Sequence, residues 1–324
     1  MLIVRRLLLA AAVLGLALGL GQRDAVPPAD PLELDVVVVL DRTTSMAAAD
    51  AAPSDDSADG QTRVAAALAD VEALAAALPG VRVAVVTVGE EATLRAPFTT
   101  DAEGLQRQLD QVLVEEPFSG TGSTLATGTD LVADLLARAP ATGEEPARTA
   151  VVLLSDGEQT APAATARGTG EAWAALADDV DAALVLGYGT REGATMPADA
   201  GRVPPLGSSP DAGTDAGTDA TTDRAAPAAP LIDPATGQAA VTRYDPDVLD
   251  AVADALDGTV EHRTTLAGMP DLATALAAEA IGDPDAGTPG RGTLWWWALA
   301  VALLALPEVL RGTRRALDRT GDAP

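Results

Sequence analysis

The chain has 324 residues and a formal net charge of −27 at pH 7. It is long enough to bury one substantial core with appendages, and its charge argues against nucleic acid or an anionic membrane surface as a ligand. Cysteine and lysine are absent and histidine occurs once, at His262, which excludes disulfides, thiolate catalysis and lysine-based chemistry and leaves little for acid–base work at neutral pH.

In chain order, Arg5 and Arg6 precede an apolar run from Leu7 to Gly21. Its length suits a signal h-region or a short anchor, and small residues at Ala17 and Gly19 leave cleavage open, so residues 1–24 read as a signal or anchor segment. Strands are predicted at Leu34–Leu40, Val81–Val88, Ala92–Phe98, Thr149–Leu154, Ala182–Leu186 and Thr259–Arg263, from runs of β-branched and other apolar residues. Helical spacing joins Val64, Leu68, Val71, Leu74 and Leu78; then Leu125, Leu131, Val132, Leu135 and Leu136; then Val248, Leu249, Val252 and Leu256. Asp245 and Pro246 read as the N-cap and first turn of that last helix, with Gly258 closing it.

Between these elements, Asp50, Asp55, Asp56 and Asp59 read as a solvated acidic loop. Residues 203–230 are rich in Pro and Ala, acidic and low in complexity, the composition of a disordered insert. Leu231–Tyr244 reads as a hairpin or extended arm returning to the domain. Residues 283–293 form a predicted linker. Residues 294–310, opening on Leu294-Trp295-Trp296-Trp297, span about 25 Å as a helix and read as a transmembrane segment. Arg311, Arg314, Arg315 and Arg319 make residues 311–324 a basic cytoplasmic tail, which places both ends inside and the main domain, residues 32–282, outside.

The alternation of strands and helices predicts an α/β fold: a doubly wound, mostly parallel six-stranded sheet with N- and C-terminal transmembrane segments. In the usual doubly wound order the first and fourth strands are neighbours at the switch point, where a crevice opens above their C-terminal ends. The first strand ends in Asp41 followed by three hydroxyls, Thr43, Thr44 and Ser45. The fourth ends in Ser155-Asp156-Gly157-Glu158. Carboxylates and hydroxyls form an oxygen-only ligand set, which suits hard cations such as Mg2+. Topology and ligand chemistry thus select the same place.

Asp41-Arg42-Thr43-Thr44-Ser45 resembles the Asp-x-Ser-x-Ser motif of the von Willebrand factor A domain, with Thr for the first Ser. That family also carries a Thr in a Gly-rich loop, for which Gly122-Ser123-Thr124 offers Thr124, with Thr121 a possible substitute, and an Asp after a later strand, matched by Asp156. The resemblance implies a metal-ion-dependent adhesion site whose ligands are Asp41, Thr43, Ser45, Thr124 and Asp156. It implies Mg2+, Mn2+ or Ca2+ as the cation, with Thr43 and Ser45 coordinating directly, Asp41 and Asp156 acting largely through water, and one position left for an Asp or Glu carboxylate of a partner protein. Alternation along the motif turns Arg42 away from the metal.

The segments LGYGTREGATMP and LIDPATGQAAVTRYDPDVLDAVADALDG, with PFTTD at 97–101, further resemble the Bat-type membrane proteins named after an aerotolerance operon. That resemblance implies a bacterial cell-membrane protein with an extracytoplasmic von Willebrand domain, working beside other such subunits and an AAA+ ATPase, with a role in binding and none in turnover. A metal-dependent surface adhesin is one alternative. A metal-assisted hydrolase is another, for which Glu158 is the only general-base candidate. His262 has no evident partner and reads as structural.

Overall fold

The computed structural model describes residues 34–51, 61–118, 120, 122–138, 147–202 and 229–282. Its central strand β1, Leu34–Asp41, is buried at every position. Val36, Val38 and Leu40 enter the core on one face of the sheet, and Val37 and Val39 enter the other. A strand flanked on both faces has no use for polar alternation, which is why its sequence is a run of valines.

The sheet is mixed and six-stranded, in the order β3-β2-β1-β4-β5-β8. The further strands are β2 (Arg82–Val88), β3 (Thr93–Thr99), β4 (Arg148–Ser155), β5 (Ala182–Gly187) and β8 (Thr259–His262). All neighbours are parallel except β2 and β3, which pair antiparallel with shifts in register. The chain builds outward from β1 through β2 to β3, then returns to the other side of β1 with β4. The switch point therefore lies between β1 and β4, as expected from sequence. Two short strands, β6 (Ala194–Thr195) and β7 (Val241–Thr242), form a separate antiparallel pair.

Helix α1 (Arg63–Ala77) starts at Thr62, whose side chain accepts from Ala65 N, and buries Val64, Leu68, Val71 and Leu74. Each such side chain contributes about 1.5–3 kcal/mol when fully buried. It covers one face of the sheet with α2 (Ala102–Leu109) and α6 (Met269–Ile281). The other face carries α3 (Thr129–Leu136), α4 (Ala166–Ala174) and α5 (Pro246–Ala255). Asp245 caps α5 by accepting from Asp247 N, as the sequence predicts. The end of α5 differs slightly: Asp257 takes the positive φ of 52°, and Gly258 N then donates to Ala253 O.

The arm expected at Leu231–Tyr244 is present as a hairpin. Ile232 bridges Ala239, and Asp233 accepts from Ala235 N and from Thr236 Oγ1 to close the turn. Of the insert expected at residues 203–230, the last two residues pair with the domain, since Pro230 bridges Pro197 and Ala198 N donates to Ala229 O, and residues 203–228 lie outside the described residues. Among the described residues no helix is long and apolar enough to cross a membrane. Both apolar segments, the linker, the basic tail, and Thr121, Asp55, Asp56 and Asp59 lie outside the described residues.

Candidate metal centre at the β1–β4 switch point

The parallel register pairs Leu40 with Leu154, which sets Asp41 opposite Ser155 at the two strand tips. Ser155 Oγ donates to Asp41 Oδ2 at 2.5 Å across that seam. The other oxygen, Asp41 Oδ1, accepts from Thr43 N at 2.9 Å and Thr43 Oγ1 at 2.7 Å. The chain turns immediately after the strand, through a short 3-10 segment at Thr44–Ala47. This turn brings Ser45 Oγ to 2.9 Å from Thr43 Oγ1. Ser45 also hydrogen-bonds Asp156. Four of the five predicted ligands, Asp41, Thr43, Ser45 and Asp156, are therefore one buried cluster. Thr44 points elsewhere and donates to Glu115 O, and Arg42 turns outward to pair with Glu115 at 3.2 Å.

Thr124, the fifth predicted ligand, is bonded to other groups. Its Oγ1 donates to Gln159 Oε1 at 2.5 Å and lies 3.4 Å from Thr169 Oγ1. Thr169 also donates to Gln159 Oε1, at 2.7 Å. The Thr124 loop is held against the loop following β4 by Thr160 N and Ala161 N, both donating to Ser123 O. Gln159 thus competes for the hydroxyl that the family resemblance assigns to the cation.

The electrostatics of the cluster follow from burial. Asp41 and Asp156 have no exposure to solvent. Desolvation pushes Asp41 up to about 7, the charge of Asp156 adds to the rise, and the hydrogen bonds from Ser155 and Thr43 oppose it. Desolvation raises Asp156 as well, against the pull of Arg63 and of its hydrogen-bond donors.

The donor set fits a hard divalent cation by its chemistry. Asp41, Thr43, Ser45 and Asp156 offer only carboxylate and hydroxyl oxygens, all of them buried. Burial raises both carboxyls, and a bound cation would favour their ionised forms.

Sequence reasoning missed the residues around this cluster. Arg63, in the first turn of α1, is fully buried and donates from Nη1 to Asp156 Oδ2 at 2.6 Å. Its Nε and Nη2 hold Asp50 Oδ1 and Oδ2 at 2.7 and 3.0 Å. Asp50 is therefore no solvated loop residue: it also accepts from Thr190 N and Oγ1, and these partners together hold its carboxyl below the usual range despite partial burial. Glu158 accepts from Thr242 Oγ1 and is occupied with the β7 arm, while desolvation raises it. Ser155 is committed to Asp41 and accepts from Gly157 N. His262 does have partners, stacking on Tyr244 with centroids 4.2 Å apart and meeting Gly189 O through Nε2 at 2.7 Å.

A doubly wound sheet with an acidic, hydroxyl-lined switch point defines the class of domain. Residues 36–159 match the family model of the von Willebrand factor type A domain, and this part of the chain is such a domain. Solved structures share the fold. The chain is similar to the conserved hypothetical protein BatB of Bacteroides thetaiotaomicron at 20% identity and a TM-score of 0.56, covering 76% of this chain and 99% of that one. It is also similar to an aerotolerance-related membrane protein of Bacteroides fragilis at 19% identity and a TM-score of 0.52, covering 77% and 99%. Comparison with curated proteins found no match.

Proposed function

We propose that this chain is a membrane-anchored von Willebrand A protein that binds a partner protein through a divalent cation held by Asp41, Thr43, Ser45 and Asp156. The observation that carries this reading is the gathering of two carboxylates and two hydroxyls, all buried, at the tips of β1 and β4. Mg2+ is the first choice of cation, with Mn2+ or Ca2+ as substitutes, because every donor is a hard oxygen. Thr124 joins the set when its bond to Gln159 is given up. When bound, the cation supplies a Lewis-acidic position that an Asp or Glu of the partner protein fills. Arg63 and Ser155 hold the two carboxylates in place and so keep them from collapsing onto one another's donors.

A binding role is favoured over hydrolysis because the one general-base candidate, Glu158, is engaged by Thr242 and directed toward the arm. One fold relative is named BatB and another an aerotolerance-related membrane protein. Together with the apolar runs at residues 7–21 and 294–310, this supports a place in a bacterial membrane, with the domain outside, the tail inside, and other such subunits and an AAA+ ATPase as companions. The decisive measurement is calorimetric titration of the full chain with Mg2+ and Mn2+, followed by capture of partners from membranes with and without EDTA. Cation uptake that is lost in Asp156→Ala, with capture that needs the cation, is the expected result. No uptake by the wild type overturns the reading.

A further inference from the structure

Arg63 is fully buried, and holding Asp156 Oδ2 takes only one of its N–H groups. Its five N–H groups are all engaged: Nε and Nη2 on Asp50, Nη1 on Asp156 Oδ2 and on Thr242 Oγ1 at 2.9 Å, and Nη2 also on Thr242 O at 3.3 Å. One planar group therefore ties a candidate metal ligand to β7 of the arm. A second set of bonds runs parallel to it. Asp245 N donates to Asp156 O at 2.8 Å, Tyr244 N to Thr190 O at 3.0 Å, and Thr242 Oγ1 to Glu158 Oε2. The backbone of Arg243 also bonds Glu158. Residues 242–245 thus grip Asp156 and Glu158 at the main chain and at the side chains.

We propose that residues 242–245 form a clasp, joined to the metal site through Arg63, whose closure and cation binding reinforce each other. The inference rests on the cation-binding reading above and gives that site its regulation. With the clasp shut, Arg63 Nη1 and Glu158 N occupy one lone pair on each oxygen of Asp156 and fix the direction of the rest. With it open, Arg63 loses two acceptors on Thr242 and Asp156 loses a main-chain partner, so the carboxylate gains freedom that cation binding must then remove. By linkage, a cation that needs Asp156 fixed must also hold the clasp shut. A partner contact that pulls on the arm would release the cation, and a cation would stiffen the arm for its partner.

The test uses the full chain with Mg2+ as the only ligand, read by calorimetry and by amide hydrogen exchange. Mg2+ is expected to slow exchange at Arg243, Tyr244 and Asp245 by roughly fivefold or more beyond any slowing in the remote helix α2, a size in keeping with coupling between sites. Thr242→Val, which keeps the shape and removes the hydroxyl, should raise the Mg2+ dissociation constant roughly tenfold and abolish that extra slowing. Arg63→Lys keeps the charge without the fork and should do the same. Thr236→Val, at the hairpin tip and bonded only within it, should leave the Mg2+ affinity at its wild-type value. Mg2+ uptake with equal affinity in Thr242→Val and wild type, or with no preferential slowing at the clasp, overturns the coupling and leaves the metal site standing. Absence of uptake by the wild type overturns both.

Discussion

Ser155 donates to Asp41 Oδ2 at 2.5 Å, from the tip of β4 to the tip of β1. The hydroxyl lies one residue before the predicted ligand Asp156, and it closes the seam at the switch point where two buried carboxylates face each other. It also accepts from Gly157 N, so its loss leaves a buried donor and a buried acceptor unpaired. Such groups cost about 1–3 kcal/mol each when stranded. Ser155→Ala is expected to destabilise the EDTA-treated protein by about 2–4 kcal/mol in urea unfolding. A loss below about 0.5 kcal/mol, the range of an ordinary surface change, would show that the seam bond has no structural weight.

The raised carboxyl of Asp41 sets the direction of the pH dependence. Its ordinary value is 3.8 and its folded value is about 7, so between them the folded chain holds a proton that the unfolded chain has released. Unfolding free energy then falls as pH rises through this window, and the penalty is complete above about 7. Asp50 shifts the opposite way, and its contribution disappears only on stronger acidification. In EDTA the wild type should melt at a higher temperature at pH 5 than at pH 8, and Asp41→Asn should reduce that difference. Mg2+ should raise the melting temperature more at pH 8, where the carboxylates are ionised, than at pH 5. Identical pH slopes for wild type and Asp41→Asn would remove Asp41 as the source.

How far the sequence spoke depended on the range of the interaction involved. The strands of the sheet were legible because burial on both faces leaves a continuous β-branched run such as Val36–Val39, with little that competes. Asp41, Thr43 and Ser45 were legible as a group because they share one strand tip and turn. Asp156 followed from strand order. The helices α2, α4 and α6 left weaker traces: α4 contains Gly168 and Gly170, and five of the 13 residues of α6 are alanine, so large apolar side chains are few. Arg63 and Asp50 were illegible for a different reason. Their partners lie 93 and 13 residues away along the chain for Arg63, and nothing in the period of α1 distinguishes a buried arginine from a solvated one. The same holds for Thr124, whose hydroxyl is decided by a loop 35 residues downstream.

That competition yields a prediction about Gln159. Its Oε1 accepts from both Thr124 Oγ1 and Thr169 Oγ1. Removing the amide frees the Thr124 hydroxyl for the cation of the proposed site. Gln159→Ala should therefore tighten Mg2+ binding roughly fivefold, about one neutral hydrogen bond's worth of competition. Thr124→Ala should weaken binding in the wild type, and the two changes together should match Thr124→Ala alone. Calorimetry on the four proteins decides it: an unchanged affinity in Gln159→Ala removes Thr124 from the ligand set.

Gly157 is a demanding backbone position beside the candidate metal centre. Its φ is +78°, in the region that side chains rarely adopt, and a Cβ there would lie 2.2 Å from Asp245 O and 3.1 Å from Leu249 Cγ. Strain of this kind costs about 1–3 kcal/mol before any clash is relieved. The contact cannot relax through a side-chain rotation, because the group in the way is the main chain at the start of α5. Gly157→Ala must therefore push Asp245 away and stretch its bond to Asp156 O. The expected outcome is a destabilisation of at least about 2 kcal/mol in urea, together with faster amide exchange at Asp245. A variant that unfolds at the wild-type urea concentration, with Asp245 still protected, would show that this loop has room the present geometry denies it.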